Sequence, residues 1–551
     1  MWNKGISCIL YLTFLVTFSS VRAQQHVIYV DSSEVFRGQL ATQTQQSYEV
    51  NKVLRLLWKQ GHLFAKVNSS SQQQTNIEKG AVYPFFIQSF LDQDSTQIPL
   101  NGRKQKEVFK TLNDQIAYWS NKGYPFASLK ILDIRKEKEG FSADLRLEKG
   151  PMITYDTVFL INRVSTSKSY IEKSLDIERG ELFNENSYRA IEKTINRLPY
   201  LSIAKPPDVA FEKETATIYL DLKERNSNSF EGVVGLLPGQ SSGDLLITGY
   251  IDLQLNNLFK SGKAFSLKWN RFAVQSQSLD LDYSHPFFLD TRILFDFDFS
   301  LFKQDTTFLN QQVDFAMGSY IGSSGIFKVG YSRSNANLIS TDQDFIELNN
   351  VIDYKRDTYN LSFGFNNYDY PFGFSQGWKM TSTAMIGQKK IEKNPNIDPQ
   401  YYDSIIAKSN LLILKLKSKY QKKLYKQLTL YQQIESSLIF NNQLLNNELS
   451  RLGGLQSVRG FNENFFFASQ YLMSRLEIRQ YLERESYFML FYDQLFFNNT
   501  SQRDYPFGLG LGLALSTNNS LFNFAMAVGK SKETAFNFSN AKIHFGYTSR
   551  F

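Results

Sequence analysis

Two periods divide this chain. Up to about Arg225, apolar residues recur at helical spacing in residues 48–60, 104–122, 168–175 and 185–198, with short alternating runs between them. From Phe230 onward the helical period disappears and every second residue is apolar, as in Ile293-Leu294-Phe295-Asp296-Phe297-Asp298-Phe299. The first regime predicts small α+β modules, and the second predicts strands with one apolar face.

The front regime repeats a plan of helix, strand, strand at a spacing of roughly 60 to 75 residues. The first two helices run out at Gly61 and Gly123, strand-like residues 62–67 and 124–129 follow, and each unit closes on a shared phrase, Glu78-Lys79-Gly80 and Glu148-Lys149-Gly150. The third unit predicts a strand at 157–161, helices at 168–175 and 185–198 flanking Arg179-Gly180-Glu181-Leu182-Phe183-Asn184, and strands at 201–211 and 215–223. These units bound modules at 24–80, the most reduced, 81–150 and 151–225, with the strand-rich region at 226–551.

In that region about sixteen strands are expected, starting near residues 230, 243, 262, 275, 291, 308, 324, 357, 376, 410, 426, 469, 486, 507, 520 and 540. Apolar-out, polar-in alternation in segments of about ten residues is the pattern of an all-β transmembrane barrel, whose closed antiparallel sheet leaves no edge in lipid. The connections alternate accordingly. Long polar gaps follow the seventh, ninth and eleventh strands (335–356, 391–408, 440–468), whereas most even-numbered gaps are tight, 367–375 being the laxer one. Gly508, Gly510 and Gly512 alternate with Leu509, Leu511 and Leu513 and read as lipid-facing strand glycines, because no helix follows to make a nucleotide fingerprint.

Composition narrows the chemistry. The chain has 551 residues, 15% of them aromatic, which suits strands and interfacial girdles. Its net charge of +8 is spread along the chain with no basic block among stacking aromatics, so nucleic acid is not an expected partner, while an anionic lipid surface is compatible. Residues 1–23 read as a secretory signal peptide with a short basic start, an apolar run and Val21-Arg22-Ala23 at the cleavage site. The only cysteine, Cys8, leaves with it, which removes disulfides, thiolate catalysis and cysteine metal sites. No later stretch reaches the ~18 to 20 apolar residues of a transmembrane helix. The four histidines, His26, His62, His285 and His544, lie far apart, and neither a nucleophile elbow nor a P-loop occurs, so no catalytic residue, metal or cofactor is expected.

One stretch stands out. Arg451-Leu452-Gly453-Gly454-Leu455-Gln456-Ser457-Val458-Arg459-Gly460-Phe461 is a glycine-punctuated loop presenting an arginine between apolar residues, and the next two strands each carry one acid, Glu477 and Asp493. A guanidinium in a lipid-embedded fold is stabilised by carboxylates that it can fork, so Arg459 with Glu477 or with Asp493 is a candidate internal lock. The alternative is a solvated loop arginine near two ordinary strand acids.

Val458-Arg459-Gly460-Phe461, Glu477 and Tyr492-Asp493 resemble the loop motif and acidic partners of the outer-membrane β-barrel assembly superfamily, the BamA/TamA or bacterial surface antigen group. Leu255-Asn256-Asn257-Leu258-Phe259-Lys260-Ser261-Gly262, Tyr283-Ser284-His285-Pro286-Phe287-Phe288 and the terminal Phe551 are similar to its turn, strand-end and sorting phrases. Gln494-Leu495 after Asp493 departs from the pattern. The modules resemble the POTRA domains of that superfamily, the third being like the membrane-proximal one.

The resemblance implies an outer-membrane barrel with periplasmic POTRA-like repeats and places the Arg459 loop sixth on the outside, folding back into the lumen. It implies a non-enzymatic factor that captures unfolded outer-membrane proteins by strand addition and inserts them at the barrel seam, in contact with outer-membrane lipid and accessory periplasmic or lipoprotein subunits. Gly232, Gly235 and Pro238 on the first strand and Gly546 and Phe551 on the last are the candidate seam residues. The alternatives are a two-partner-secretion-type pore and a passive adhesion or structural barrel.

Overall fold

The structure is a computed structural model and describes residues 24–40, 43–62, 64–71, 73–82, 85–91, 105–138, 140–238, 245–273, 275–322, 324–341, 350–455, 457–499, 502–517 and 519–551. The segment read as a signal peptide, with Cys8, lies outside the described residues. The chain divides into two compact units, the first comprising Met1–Ile153 and Leu182–Glu185.

That first unit holds two small sheets. Strands β1 (Gln24–Val30) and β2 (Ser33–Leu40), helix α1 (Gln43–Lys59), β3 (Lys66–Ser70) and β4 (Gln74–Glu78) form a sheet of order β2-β1-β4-β3. Helix α1 buries Val53 and Leu57 with Ile28, Val30 and Ile77 of the sheet. The buried His26 pairs with Thr75 Oγ1 at 3.1 Å, a satisfied core histidine. Next come β5 (Phe85–Leu91), α2 (Gln105–Ser120), β6 (Ser128–Glu137) and β7 (Gly140–Glu148), in the order β5-β7-β6, with Leu112 packed on Leu145 and Leu147. The helix-strand-strand plan is therefore incomplete, since β1 and β5 precede the helices. Both pair in parallel with a later strand, β1 with β4 and β5 with β7. Strands paired in parallel read as continuous apolar runs such as Phe85-Phe86-Ile87, which carry no alternation to detect.

The second unit opens with β8 (Thr154–Leu160), α3 (Lys168–Leu175), α4 (Glu185–Arg197), β9 (Leu201–Glu212) and β10 (Thr215–Glu224), a sheet of order β8-β10-β9. Helix α3 starts where Ser167 Oγ accepts the Tyr170 backbone N–H at 3.3 Å. Ile171, Ile191 and Ile195 of the two helices are fully buried, as are Val158, Ile218 and Leu220 of the sheet.

The rest of this unit is a closed antiparallel barrel. Its first strands are β11 (Ser229–Pro238), β12 (Leu245–Leu258), β13 (Lys263–Ala273), β14 (Ser276–Phe288), β15 (Ile293–Gln304) and β16 (Phe308–Ile321). The wall continues through β17 (Gly325–Leu338), β18 (Tyr354–Asn366), β19 (Gly377–Ile391), β20 (Lys408–Tyr425) and β21 (Leu428–Phe440). A small hairpin inside the following loop comprises β22 (Ser450–Leu452) and β23 (Phe466–Ala468). Strands β24 (Gln470–Tyr481), β25 (Tyr487–Asn498), β27 (Phe507–Ser516), β28 (Ser520–Lys530) and β29 (Lys542–Arg550) complete the wall, and the two-residue β26 (Arg503–Asp504) extends the β25–β27 connection. Sixteen strands span the barrel, and each expected start lies within three residues of an observed one.

Alternation sorts the two faces. On β25, Phe488, Leu490 and Phe496 point out and are exposed, while Phe491, Asp493 and Leu495 point in and are buried. The lumen wall is polar elsewhere: Asp282, Asp298 and Asp314 lie directly opposite one another on β14, β15 and β16, a row of like charges tolerable only beside water or countercharge. The even-numbered connections sit at one end of the barrel, where α3 and α4 touch it. The lax connection 367–376 folds into this end: the Gly373 carbonyl accepts Tyr481 Oη at 3.0 Å, Arg197 Nε donates to the Tyr368 carbonyl at 3.1 Å, and Arg225 and Arg484 lie over the Tyr370 ring.

Candidate functional site

The loop between β21 and β24 carries the chemistry. Its β22–β23 hairpin brings residues 453–455 and 457–465 inside the barrel, where Val458 and Phe461 join a buried cluster with Phe466, Tyr471, Leu495 and Phe497. Arg459 is 2% exposed, Glu477 2% and Asp493 0%. The guanidinium forks Asp493, with Nε donating to Oδ2 at 2.7 Å and Nη2 to Oδ1 at 2.6 Å, while Nη2 lies 2.9 Å from Glu477 Oε1. The Arg459 backbone N–H also donates to Asp493 Oδ2 at 3.1 Å, so one carboxylate fixes both main chain and side chain. The Phe491 ring lies 3.5 Å from the guanidinium carbon and covers its face.

The structure thus brings Arg459 to both acids rather than to one. Each acid has a second arginine as well: Arg479 Nη2 is 2.7 Å from Glu477 Oε2, and Arg475 Nε is 3.6 Å from Asp493 Oδ1. Arg475 further donates to the carbonyls of Leu455 and Ser457 at 3.0 and 2.7 Å, tying the loop to β24 from a second direction. Neither arginine stands out in the sequence, although both sit two residues from Glu477 and so share its face by strand period. Gln494, where the sequence departs from the motif, is engaged elsewhere, its Nε2 donating to the Tyr505 and Pro506 carbonyls at 3.2 Å.

The wall is shaped to receive this loop. A Cβ at Gly508 would lie 1.9 Å from the Arg459 carbonyl oxygen, and one at Gly460, whose φ is +95°, would lie 2.7 Å from Gly529 N. This corrects the reading of Gly508, Gly510 and Gly512 as lipid-facing. They stand opposite the inward residues Asp493, Phe491 and Met489, whereas Leu509 and Leu511 are the exposed residues. Alternation separates two faces without saying which is the lumen; the partner strand decides it.

A second assembly joins the third sheet's helices to the barrel. Asn257 Nδ2 donates to Thr166 Oγ1 at 2.8 Å, the Ser167 N–H donates to the Lys260 carbonyl at 2.8 Å, and the turn ends at Gly262, where a Cβ would strike the Tyr170 ring. Phe287 packs edge-on against the same ring at 5.7 Å. The two turn and strand-end phrases noted in the sequence are therefore the two sides of one seat for Tyr170. Tyr200 Oη donates to Tyr170 Oη at 2.6 Å, and burial pushes both hydroxyls up, so the pair stays neutral and hydrogen-bonded through ordinary pH.

The barrel closes thinly. Strand β11 pairs with β12 over its whole length but meets β29 only at Ser229↔Arg550 and Phe230↔Ser549. Beyond these the closure rests on side chains, with Thr548 Oγ1 donating to Glu231 Oε2 at 2.8 Å and the Tyr250 hydroxyl donating to the same carboxylate. Phe551 adds a backbone N–H to the Asn228 carbonyl at 3.0 Å, and Gly546 faces Glu231. Gly232, Gly235 and Pro238 lie past the paired segment and are held from the β12 side alone.

No protein-family profile matches the chain, and no curated protein matches it in sequence. Solved structures do. CdiB from Escherichia coli matches with a TM-score of 0.55 at 11% identity, over 92% of this chain and 98% of that one. CdiB from Acinetobacter baumannii matches with a TM-score of 0.51 at 14% identity over the same shares. BamA from Haemophilus ducreyi lacking POTRA domains 1-3 matches at 12% identity over 82% of this chain and 94% of that one, with a TM-score of 0.42. At these identities the likeness is one of fold: the chain shares the fold of the two CdiB structures.

Proposed function

We propose that this chain is an outer-membrane protein assembly factor: its N-terminal modules receive unfolded barrel proteins in the periplasm, and the β11–β29 seam templates their strands into the membrane. The observation that carries the reading is that seam. Exposing backbone groups to lipid costs several kcal/mol per unpaired group, so a barrel opens where the fewest pairs must part. Here only two residue pairs and a few side-chain bonds hold β11 to β29, whereas β11 and β12 pair from Ser229 to Pro238. An incoming strand can satisfy the free groups of β11 from Glu231 upward without displacing a native partner.

In this reading the Arg459 loop enters from the outer side and stiffens the wall of β24, β25, β27 and β28, next to the seam strand β29, and Val458, Gly460 and Phe461 seat it. Accessory subunits and outer-membrane lipid complete the partners. The likeness to CdiB favours a second reading, a two-partner-secretion-type pore that exports a protein through its lumen. The two separate in liposomes containing the purified full chain. An assembly factor accelerates the folding of an added urea-unfolded barrel protein into the bilayer, whereas a secretion pore leaves that rate at the value of empty liposomes.

A further inference from the structure

We propose that the outer wall of β18, β19 and β20, at the barrel end away from α3 and α4, binds the phosphate-bearing headgroup of an anionic membrane lipid. In register, Lys355 stands directly opposite Lys390, and Lys390 directly opposite Lys408, so three ammonium groups cross three neighbouring strands side by side on the outward face. Like charges so placed repel unless an anion lies among them. Glu392 reaches Lys355 and Lys390, each at 3.2 Å, and one carboxylate leaves the row cationic. Among the described residues Lys408 has no carboxylate within ion-pairing distance.

The rows beneath set the depth. Two residues further along each strand come Asp357, Gln388 and Asn410, with Asp357 held by Arg333 at 3.5 Å. Two residues further again come Tyr359, Ile386, Leu412 and Phe440, all exposed, and then Leu361 and Leu414. Lysine, then two amides and an arginine-paired carboxylate, then aromatic and aliphatic, in steps of roughly 7 Å, is the order of a headgroup boundary above acyl chains.

The wall is notched at this height. Strand β21 ends at Phe440 and its pairing with β20 begins at Leu412, so residues 408–411 have no strand on that side. Asn441 fills the backbone need there, its Nδ2 donating to Ser409 Oγ at 2.9 Å and to the Asn410 carbonyl at 2.8 Å, and the chain then crosses away. What remains is a groove of about 1160 Å³ with lysines on its rim, amides and the arginine-paired Asp357 on its wall and Ile386, Leu412 and Phe440 on its floor. A free phosphate would satisfy the rim and leave that floor uncovered. A lipid satisfies both, which is why the occupant is a phospholipid or phosphoglycolipid of the surrounding leaflet.

The test uses the full-length protein in non-ionic detergent micelles, titrated with lipid A carrying both phosphates, with lipid A stripped of phosphate, and with inorganic phosphate, bound lipid being read by native mass spectrometry. The phosphorylated lipid should bind at least tenfold more tightly than the stripped one, and millimolar inorganic phosphate should not displace it. The combined variant Lys355→Gln, Lys390→Gln, Lys408→Gln should lose at least tenfold in affinity while keeping the heat-modifiable gel shift of a folded barrel. If that variant fails to fold, Lys408→Gln alone should lose about threefold, since its lysine has no carboxylate to release. Equal binding of stripped lipid, full displacement by inorganic phosphate, or unchanged affinity in the folded variants would each overturn the assignment.

Discussion

Arg459 is buried where its charge is stabilised by two carboxylates and an aromatic face, and the two acids are not equivalent. Glu477 keeps a close partner in Arg479 at 2.7 Å when Arg459 is removed, whereas Asp493 retains only Arg475 at 3.6 Å. Breaking one side of a buried pair costs about 3 to 5 kcal/mol, less where lumen water reaches it. Arg459→Ala and Asp493→Asn should therefore lower the temperature of the heat-modifiable transition alike, Glu477→Gln should lower it less, and Arg459→Lys should not restore a two-pronged fork. Equal shifts for the two acid variants would show that the loop does not hang on Asp493. A second expectation concerns the wall: Gly508→Val places carbon where the Arg459 carbonyl lies, so the loop should leave its seat and residues 453–465 should become cleavable by added protease. Loop protection equal to wild type would contradict the fit. At this scale the sequence showed the arginine and both acids, because a charge in an apolar run is conspicuous. It also contained Arg475 and Arg479, but their bearing on the site depends on which face of β24 is the lumen, and that is settled only by the strand beside it.

Among the elements, the third sheet's module is seated on the barrel itself, because Tyr170 sits against Gly262 and Phe287. One edge of that sheet is blunted: β9 carries Pro206 and Pro207, which offer no N–H, and its register with β10 shifts nearby. Strand capture should fall to other edges, such as β3, whose residues are all exposed. Deleting residues 24–80 should accordingly weaken client insertion in part, and deleting residues 155–224 should abolish it, as read by client folding rates in liposomes. Equal loss from both deletions would mean that capture is not graded along the modules. The helices of these modules and the antiparallel pair β9 and β10 were legible from period and end signals, whereas the strands expected at 62–67 and 124–129 overlap only the starts of β3 and β6, and β2 had no expected counterpart. Strand β5 was not legible, since parallel pairing removes alternation, and neither was the seat of Tyr170, which is built from residues nearly a hundred positions apart.

At the scale of the whole molecule, sixteen strands could be located from sequence because each carries its own alternation and its own stop. Closure could not, because the register between β11 and β29 joins residues some three hundred positions apart and no local pattern encodes it. The glycines and proline of the first strand pointed to a weak seam, yet the weakness observed is one of missing partners: β11 past Phe230 has no strand on the β29 side whatever its side chains are. The proposed insertion of client strands depends on that seam parting. Phe230 and Ser549 are register partners, a placement in which antiparallel Cα atoms lie about 4.5 to 5.5 Å apart and a disulfide closes without strain. Only Cys8, in the predicted leader, could compete. The decisive measurement is the rate at which Phe230→Cys, Ser549→Cys protein in liposomes inserts an unfolded barrel client, before and after oxidation. The oxidised protein should remain a folded, heat-modifiable barrel whose insertion rate falls to that of empty liposomes and returns with reductant; an oxidised protein that inserts its client as fast as the reduced protein would contradict opening at the seam.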